Sequence, residues 1–140
     1  MGDISAQAKR LIEATRQSLE VGIEFMRPGN RLGDLGAGIQ RFVESHGFNV
    51  VRDYVGHGIG RDMHEPPPVP NYGSPGSGLR FEPGLVLALE PMVTAGEWAV
   101  RVLKDGWTVV TKDGSLAAHF EHTVAVTEDD PLVLTRSEAG

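Results

Sequence analysis

Apolar residues in the first third of the chain recur close to every 3.6 positions. Ala8, Leu11, Ile12, Leu19, Ile23 and Met26 line one side of a predicted helix that opens at Ser5 and stops at Pro28-Gly29. Leu32, Leu35, Ile39, Phe42 and Val43 predict a second amphipathic helix closed by Gly47. Gly33, Gly36 and Gly38 weaken that helix intrinsically, so tertiary packing has to hold it. From Phe48 the period changes to 2. Asn49 to Val55 reads as a strand, broken by Gly56-His57-Gly58-Ile59-Gly60. Residues 61–83 carry six of the nine prolines and read as a long segment without elements of its own. Strand-like runs follow at Leu85 to Met92, Trp98 to Leu103, Trp107 to Thr111 and Ala117 to Thr127, with a short one at Leu132 to Leu134. Gly96, Asp105-Gly106 and Asp113-Gly114 supply the turns. Helices first and strands after them predict an α+β fold, two helices packed on a largely antiparallel sheet, over one domain of 1–140.

Composition narrows the chemistry. The 140 residues carry a net charge of −6, which argues against a duplex nucleic acid partner because such binders present a basic face to phosphate. No apolar run approaches the roughly 20 residues that span a bilayer, and Met1-Gly2-Asp3-Ile4 lacks the features of a secretory signal, so a cytoplasmic location is expected. The absence of cysteine removes disulfides, thiolate nucleophiles and Cys-ligated zinc, leaving His, Asp and Glu as metal donors.

Two carboxylates interrupt apolar runs. Glu90 ends Leu85-Val86-Leu87-Ala88-Leu89, and Glu121 opens a run that continues through Val124 and Val126. Strand alternation places Glu90 with Val86 and Ala88, and Glu121 with Thr123 and Ala125. A carboxylate on such a face costs several kcal/mol, roughly, unless an arginine, solvent or a cation answers it. His57, set between two glycines, adds an imidazole, and His57, Glu90 and Glu121 are about thirty residues apart on separate segments. Converging across a sheet, they make an open divalent-metal site. His64 follows seven residues after His57 and is either a second polar group there or a loop histidine. No zincin helix accompanies His64-Glu65, and the G-x-G around His57 lacks the rest of a dinucleotide fingerprint. His46 suits a helix end, His122 faces away from Glu121, and Trp98 and Trp107 are core aromatics or walls of an apolar pocket.

Gly56-His57-Gly58-Ile59-Gly60, His64-Glu65-Pro66, Leu89-Glu90-Pro91-Met92, Asp105-Gly106-Trp107-Thr108 and Phe120-Glu121-His122-Thr123 together resemble the bacterial type I methionine aminopeptidases. The resemblance runs in order along nearly the whole chain and includes the Arg27-Pro28-Gly29 turn. It implies the C-terminal half of a pita-bread fold and removal of the initiator methionine from nascent peptides. It also implies a site of two divalent metal ions, with Mn, Fe, Co and Zn undistinguished. His57, Glu90 and Glu121 match three of the family's five ligands, Glu121 as the one shared by both ions and Glu90 as the one also credited with general-base work. His64 matches a histidine that contacts the substrate amide, and Met63 and Trp107 fall at methionine-pocket positions.

The remaining two ligands are aspartates of the family's preceding half, and Asp3, Asp34 and Asp53 do not match them. Met63 stands where an aromatic is common, and His119 where a glutamine is common. Peptide cleavage is therefore expected of the complete enzyme, with weak metal binding and little turnover by these 140 residues alone. Two other readings stay open: a non-catalytic module that self-associates or pairs with a missing half through an exposed edge and an uncovered apolar face, and a prolidase-like peptidase. Met92 after Glu90-Pro91, where prolidase relatives carry glycine, favours the methionine enzyme.

Overall fold

A computed structural model of the chain describes residues 6–52, 55–59, 65–97, 99–102, 109–111 and 113–135. The first helix, α1 (Ala6–Glu24), buries Leu11, Ala14, Leu19 and Ile23. Ile12, predicted to lie on that face, is 42% exposed. The buried stripe runs instead through Thr15 and Ser18, whose hydroxyls donate to the carbonyls of Leu11 and Thr15, both at 2.7 Å. Hydroxyls satisfied within their own helix are buried at little cost, so hydropathy alone draws the face slightly off.

The second helix, α2 (Leu32–Ser45), is entered through Asp34, whose carboxylate accepts from the Arg31 N–H at 2.7 Å and from the Gly76 N–H at 2.7 Å. Its glycines are sites of close approach. A Cβ on Gly33 would lie 2.1 Å from the Ser74 carbonyl oxygen, one on Gly36 2.2 Å from that of Tyr72, and one on Gly38 2.2 Å from the Phe25 ring. Packing thus holds a helix that propensity would not, and Gly47, at φ +81°, ends it.

The strands are β1 (Asn49–Val50), β2 (Gly56–Gly58), β3 (Glu65–Val69), β4 (Val86–Leu89), β5 (Met92–Thr94), β6 (Val100–Val102), β7 (Val109–Thr111), β8 (Ala117–His119), β9 (His122–Ala125) and β10 (Leu132–Val133). They form a five-stranded sheet in the order β10-β9-β4-β2-β3, a three-stranded sheet β1-β5-β8 and a β6-β7 pair, and every pairing is antiparallel.

Three expectations are corrected here. The single strand expected over Asn49 to Val55 stops at Val50 and joins the three-stranded sheet. Gly56–Gly58, expected to break a strand, is the second strand from the edge of the larger sheet. Its glycines permit that position, since a Cβ on Gly56 would fall 2.1 Å from the Ala88 carbonyl oxygen and one on Gly58 2.5 Å from that of Pro66. Within 61–83, Glu65–Val69 forms a strand despite three consecutive prolines. It lies at the edge of the sheet, where a missing N–H costs no ladder bond on the outer side.

Register then sorts the faces. Leu87, Leu89, Val124, Val126 and Val69 join Leu11, Ile23, Met26, Leu35 and Ile39 in the core beneath the helices. His57, Ala88 and Thr123 pair directly across β2, β4 and β9 and occupy the opposite face. Val86 and Ala125, paired two residues further along, share that face.

Candidate metal centre

The two long strand-like runs both break at an acid. The first passes from β4 in the larger sheet to β5 in the smaller one across Glu90-Pro91, and the second passes from β8 to β9 across Phe120-Glu121. Since β4 pairs with β9 and β5 with β8, the two crossings lie side by side. The Phe120 N–H donates to the Pro91 carbonyl at 3.2 Å and ties them together. The sheet change turns both carboxylates out of their ladders, and alternation puts them on the His57 side, as the sequence predicts.

His57 projects from within β2, between β3 and β4. Its Nδ1 lies 3.0 Å from the Gly58 carbonyl oxygen, an acceptor only, so Nδ1 carries the proton in that bond. In the neutral ring Nε2 then presents a lone pair, and it lies 3.1 Å from Glu90 Oε2. A lone pair facing a carboxylate at that distance is repulsive without a proton or a cation between them. One ligand atom each from His57, Glu90 and Glu121 lies within 4.8 Å of the others. The His57 and Glu90 side chains are 14% and 21% exposed, and Glu121 is exposed, so the cluster is walled on one side and open on the other. One imidazole and two carboxylates suit a first-row divalent ion with room for further ligands.

Two neighbours of Glu90 escape sequence reasoning. Asn71 is completely buried and donates from Nδ2 to the Glu90 backbone carbonyl at 3.2 Å, while its Oδ1 has no hydrogen-bond partner among the described residues. The Pro70-Asn71-Tyr72 segment offers no periodicity to flag it. His119 lies with Nε2 3.8 Å from Glu90 Oε1, and in the sequence it stands out only as a departure from a resemblance. His46 donates from Nδ1 to the Phe42 carbonyl at 2.8 Å, at the helix end foreseen for it. His122 contacts the Thr135 hydroxyl at 2.8 Å through Nδ1, a structural contact. Asp34 is occupied in entering α2. His64, Met63, Trp98, Trp107 and Asp53 lie outside the described residues.

The profile of metallopeptidase family M24 matches residues 1–128. This chain belongs to that family. It is 54% identical over 138 residues to the methionine aminopeptidase of Clostridium acetobutylicum, a match covering 99% of this chain and 55% of that protein. The crystal structure of the Thermotoga maritima methionine aminopeptidase superposes with a TM-score of 0.95 at 52% identity, over 98% of this chain and 55% of that one. The M24 chain thus spans about half the length of the curated relatives it matches. The prolidase of Pyrococcus horikoshii shares the fold, with a TM-score of 0.71 at 19% identity over 99% of this chain and 34% of that one. Two helices on antiparallel sheets are therefore part of a pita-bread architecture.

Proposed function

We propose that these 140 residues are the C-terminal half of the catalytic domain of a metal-dependent methionine aminopeptidase, which in its complete form removes the initiator methionine from nascent peptides. The observation that carries this reading is the convergence of His57, Glu90 and Glu121 in a chain about half identical to methionine aminopeptidases. The lower identity to the prolidase favours a methionine substrate over an x-Pro one.

A divalent ion, when bound, supplies Lewis-acid polarisation of the scissile carbonyl. His57 contributes Nε2, held in orientation by its bond to Gly58. Glu121 contributes a carboxylate from the mouth of the site. By resemblance, Glu90 would donate to the ion and take a proton from the attacking water at its carboxylate. By resemblance, His64 contacts the substrate amide, and Met63 and Trp107 wall the methionine pocket. Mn, Fe, Co and Zn all suit this donor set.

A second reading has its own support, since His57, Glu90 and Glu121 match three of the five ligand positions that the resemblance implies. As a separate polypeptide the chain would be a non-catalytic module that self-associates or pairs with the complementary half. Calorimetric titration with Mn²⁺ or Co²⁺, wild type beside Glu121→Ala, tests the site. About one ion per chain, lost in the variant, is expected, and equal binding in both proteins refutes the ligand assignment. Joined to the preceding half of a relative, the chain should cleave Met-Ala-x peptides. Preferential cleavage of x-Pro bonds would reverse the substrate assignment, and metal-dependent methionine release by the 140 residues alone would refute the need for the other half.

A further inference from the structure

The Glu90 carboxylate is approached by one histidine from each sheet. His57, on β2 of the larger sheet, reaches Oε2 at 3.1 Å, and His119, at the end of β8 in the smaller one, stands 3.8 Å from Oε1. His119 is placed by register, opposite Met92 in the β5-β8 ladder, and the adjoining bond from the Phe120 N–H to the Pro91 carbonyl clamps its strand end beside Glu90. His119 lies on the far oxygen and outside the group formed by His57, Glu90 and Glu121.

We propose that His119 is a positioning residue for Glu90: its Nε2–H is donated to Oε1 and turns Oε2 toward the cation seat beside His57. The proposal rests on reading that seat as a metal centre. At 3.8 Å the contact is longer than a hydrogen bond, and closing it takes a shift of about 0.8 Å. The ring is 43% exposed and sits at a strand end. A carboxylate fixed on one oxygen spends less of its time rotated away from the ion, the general reason that a ligand's hydrogen-bond partners tune metal affinity. His119 acts through Glu90 and adds no bond to the ion.

The test is Co²⁺ titration of the 140-residue chain, followed by calorimetry and by visible absorption of the bound ion, with His119→Ala and His119→Gln beside wild type. His119→Ala should bind roughly 10- to 100-fold more weakly. His119→Gln, whose amide N–H reaches the same oxygen, should recover to within about threefold, with an absorption envelope unchanged in all three proteins. Unchanged affinity in His119→Ala overturns the proposal. So does a failed rescue by glutamine with an altered envelope, which would make His119 a ligand in its own right. Should wild type bind no Co²⁺, it is the metal-centre reading that fails, and a metal-free unfolding cycle of His119→Ala and Glu90→Gln decides the contact. Coupling of roughly two- to fivefold in the unfolding constant sustains it, and strict additivity overturns it.

Discussion

Gly56→Ala tests whether the glycines around His57 are there for packing or for a turn. A Cβ at this position would stand 2.1 Å from the Ala88 carbonyl oxygen, against roughly 3.3 Å for an ordinary carbon–oxygen contact. The obstacle is backbone in the middle of the larger sheet, so no side-chain rotation relieves it, and β2 must move about 1.2 Å from β4. That displacement breaks the pairing of His57 with Ala88 and of Gly58 with Leu87. Two weakened ladder bonds at about 0.5–1.5 kcal/mol each, together with overpacking strain of about 1–3 kcal/mol, give a loss of roughly 2–6 kcal/mol. For a chain of this length that lowers Tm by roughly 10 °C. The same shift carries His57 from Glu90 by more than the ~0.5 Å that a preorganised site tolerates, so Co²⁺ affinity should fall at least about tenfold. Urea unfolding and calorimetric titration measure the two effects. Gly47→Ala is the control: it has open space and a φ of +81°, so it should cost about 1 kcal/mol of conformational strain and leave Co²⁺ binding unchanged. A Gly56→Ala protein within about 0.5 kcal/mol of wild type and with wild-type affinity would refute the reasoning.

Two further outcomes follow from the same geometry. Asn71→Leu removes both the bond to the Glu90 carbonyl and a buried oxygen with no partner among the described residues, so stability should change by less than about 2 kcal/mol while Co²⁺ affinity falls; a collapse of the fold with affinity intact per folded chain would contradict it. The Asp113 carboxyl is lowered from 3.8 to about 2 by the Ser115 hydroxyl beside it and by the N–H groups of Glu97 and Ser115, which donate to it at 2.8 and 2.9 Å. Among the described residues the two backbone N–H groups meet hydrogen-bond geometry, and the Ser115 hydroxyl acts on the carboxyl by proximity. A depressed carboxyl contributes stability above its unfolded value near 3.8 that is lost as pH falls through about 2. Asp113→Asn should therefore flatten the acid limb of an unfolding-versus-pH curve over that window, and an unchanged limb would count against the turn's contribution.

How much of this was legible depends on what each residue is answering. Both helices follow from their 3.6 period, because burial against a sheet is what that period encodes. The exception, Ile12 exposed while Thr15 and Ser18 are buried, arises because a hydroxyl bonded within its own helix passes for an apolar group. The strands β2 and β3 are illegible for the opposite reason. Glycine and proline break strands on average, yet Gly56 and Gly58 let neighbouring carbonyls approach, and Pro66, Pro67 and Pro68 sit at an edge. Glu90, Glu121 and His57 stand out because an acid ending or opening an apolar run needs an answer somewhere else in the fold. Asn71 and His119 do not, since their partner is the Glu90 backbone or its far oxygen, and neither relation leaves a periodic trace.

The position of the centre at a change of sheet has an electrostatic rationale. Two carboxylates within 4.8 Å of each other repel by about 1–3 kcal/mol over effective dielectric constants between water and a protein surface. A continuous pair of strands would hold both in the ladder and bury them more deeply. The paired crossings at Glu90-Pro91 and Phe120-Glu121 keep the donors near one another while leaving Glu121 exposed, so the repulsion is softened by water until a cation replaces it. One neutral imidazole and two carboxylates carry a charge of about −2, which a single divalent ion neutralises. Adding the two aspartates that the family resemblance places in the preceding half brings the donor charge to about −4, matched by two divalent ions. Counted over the ligands that the resemblance implies, charge balance would fit one divalent ion at these residues and two at a complete site.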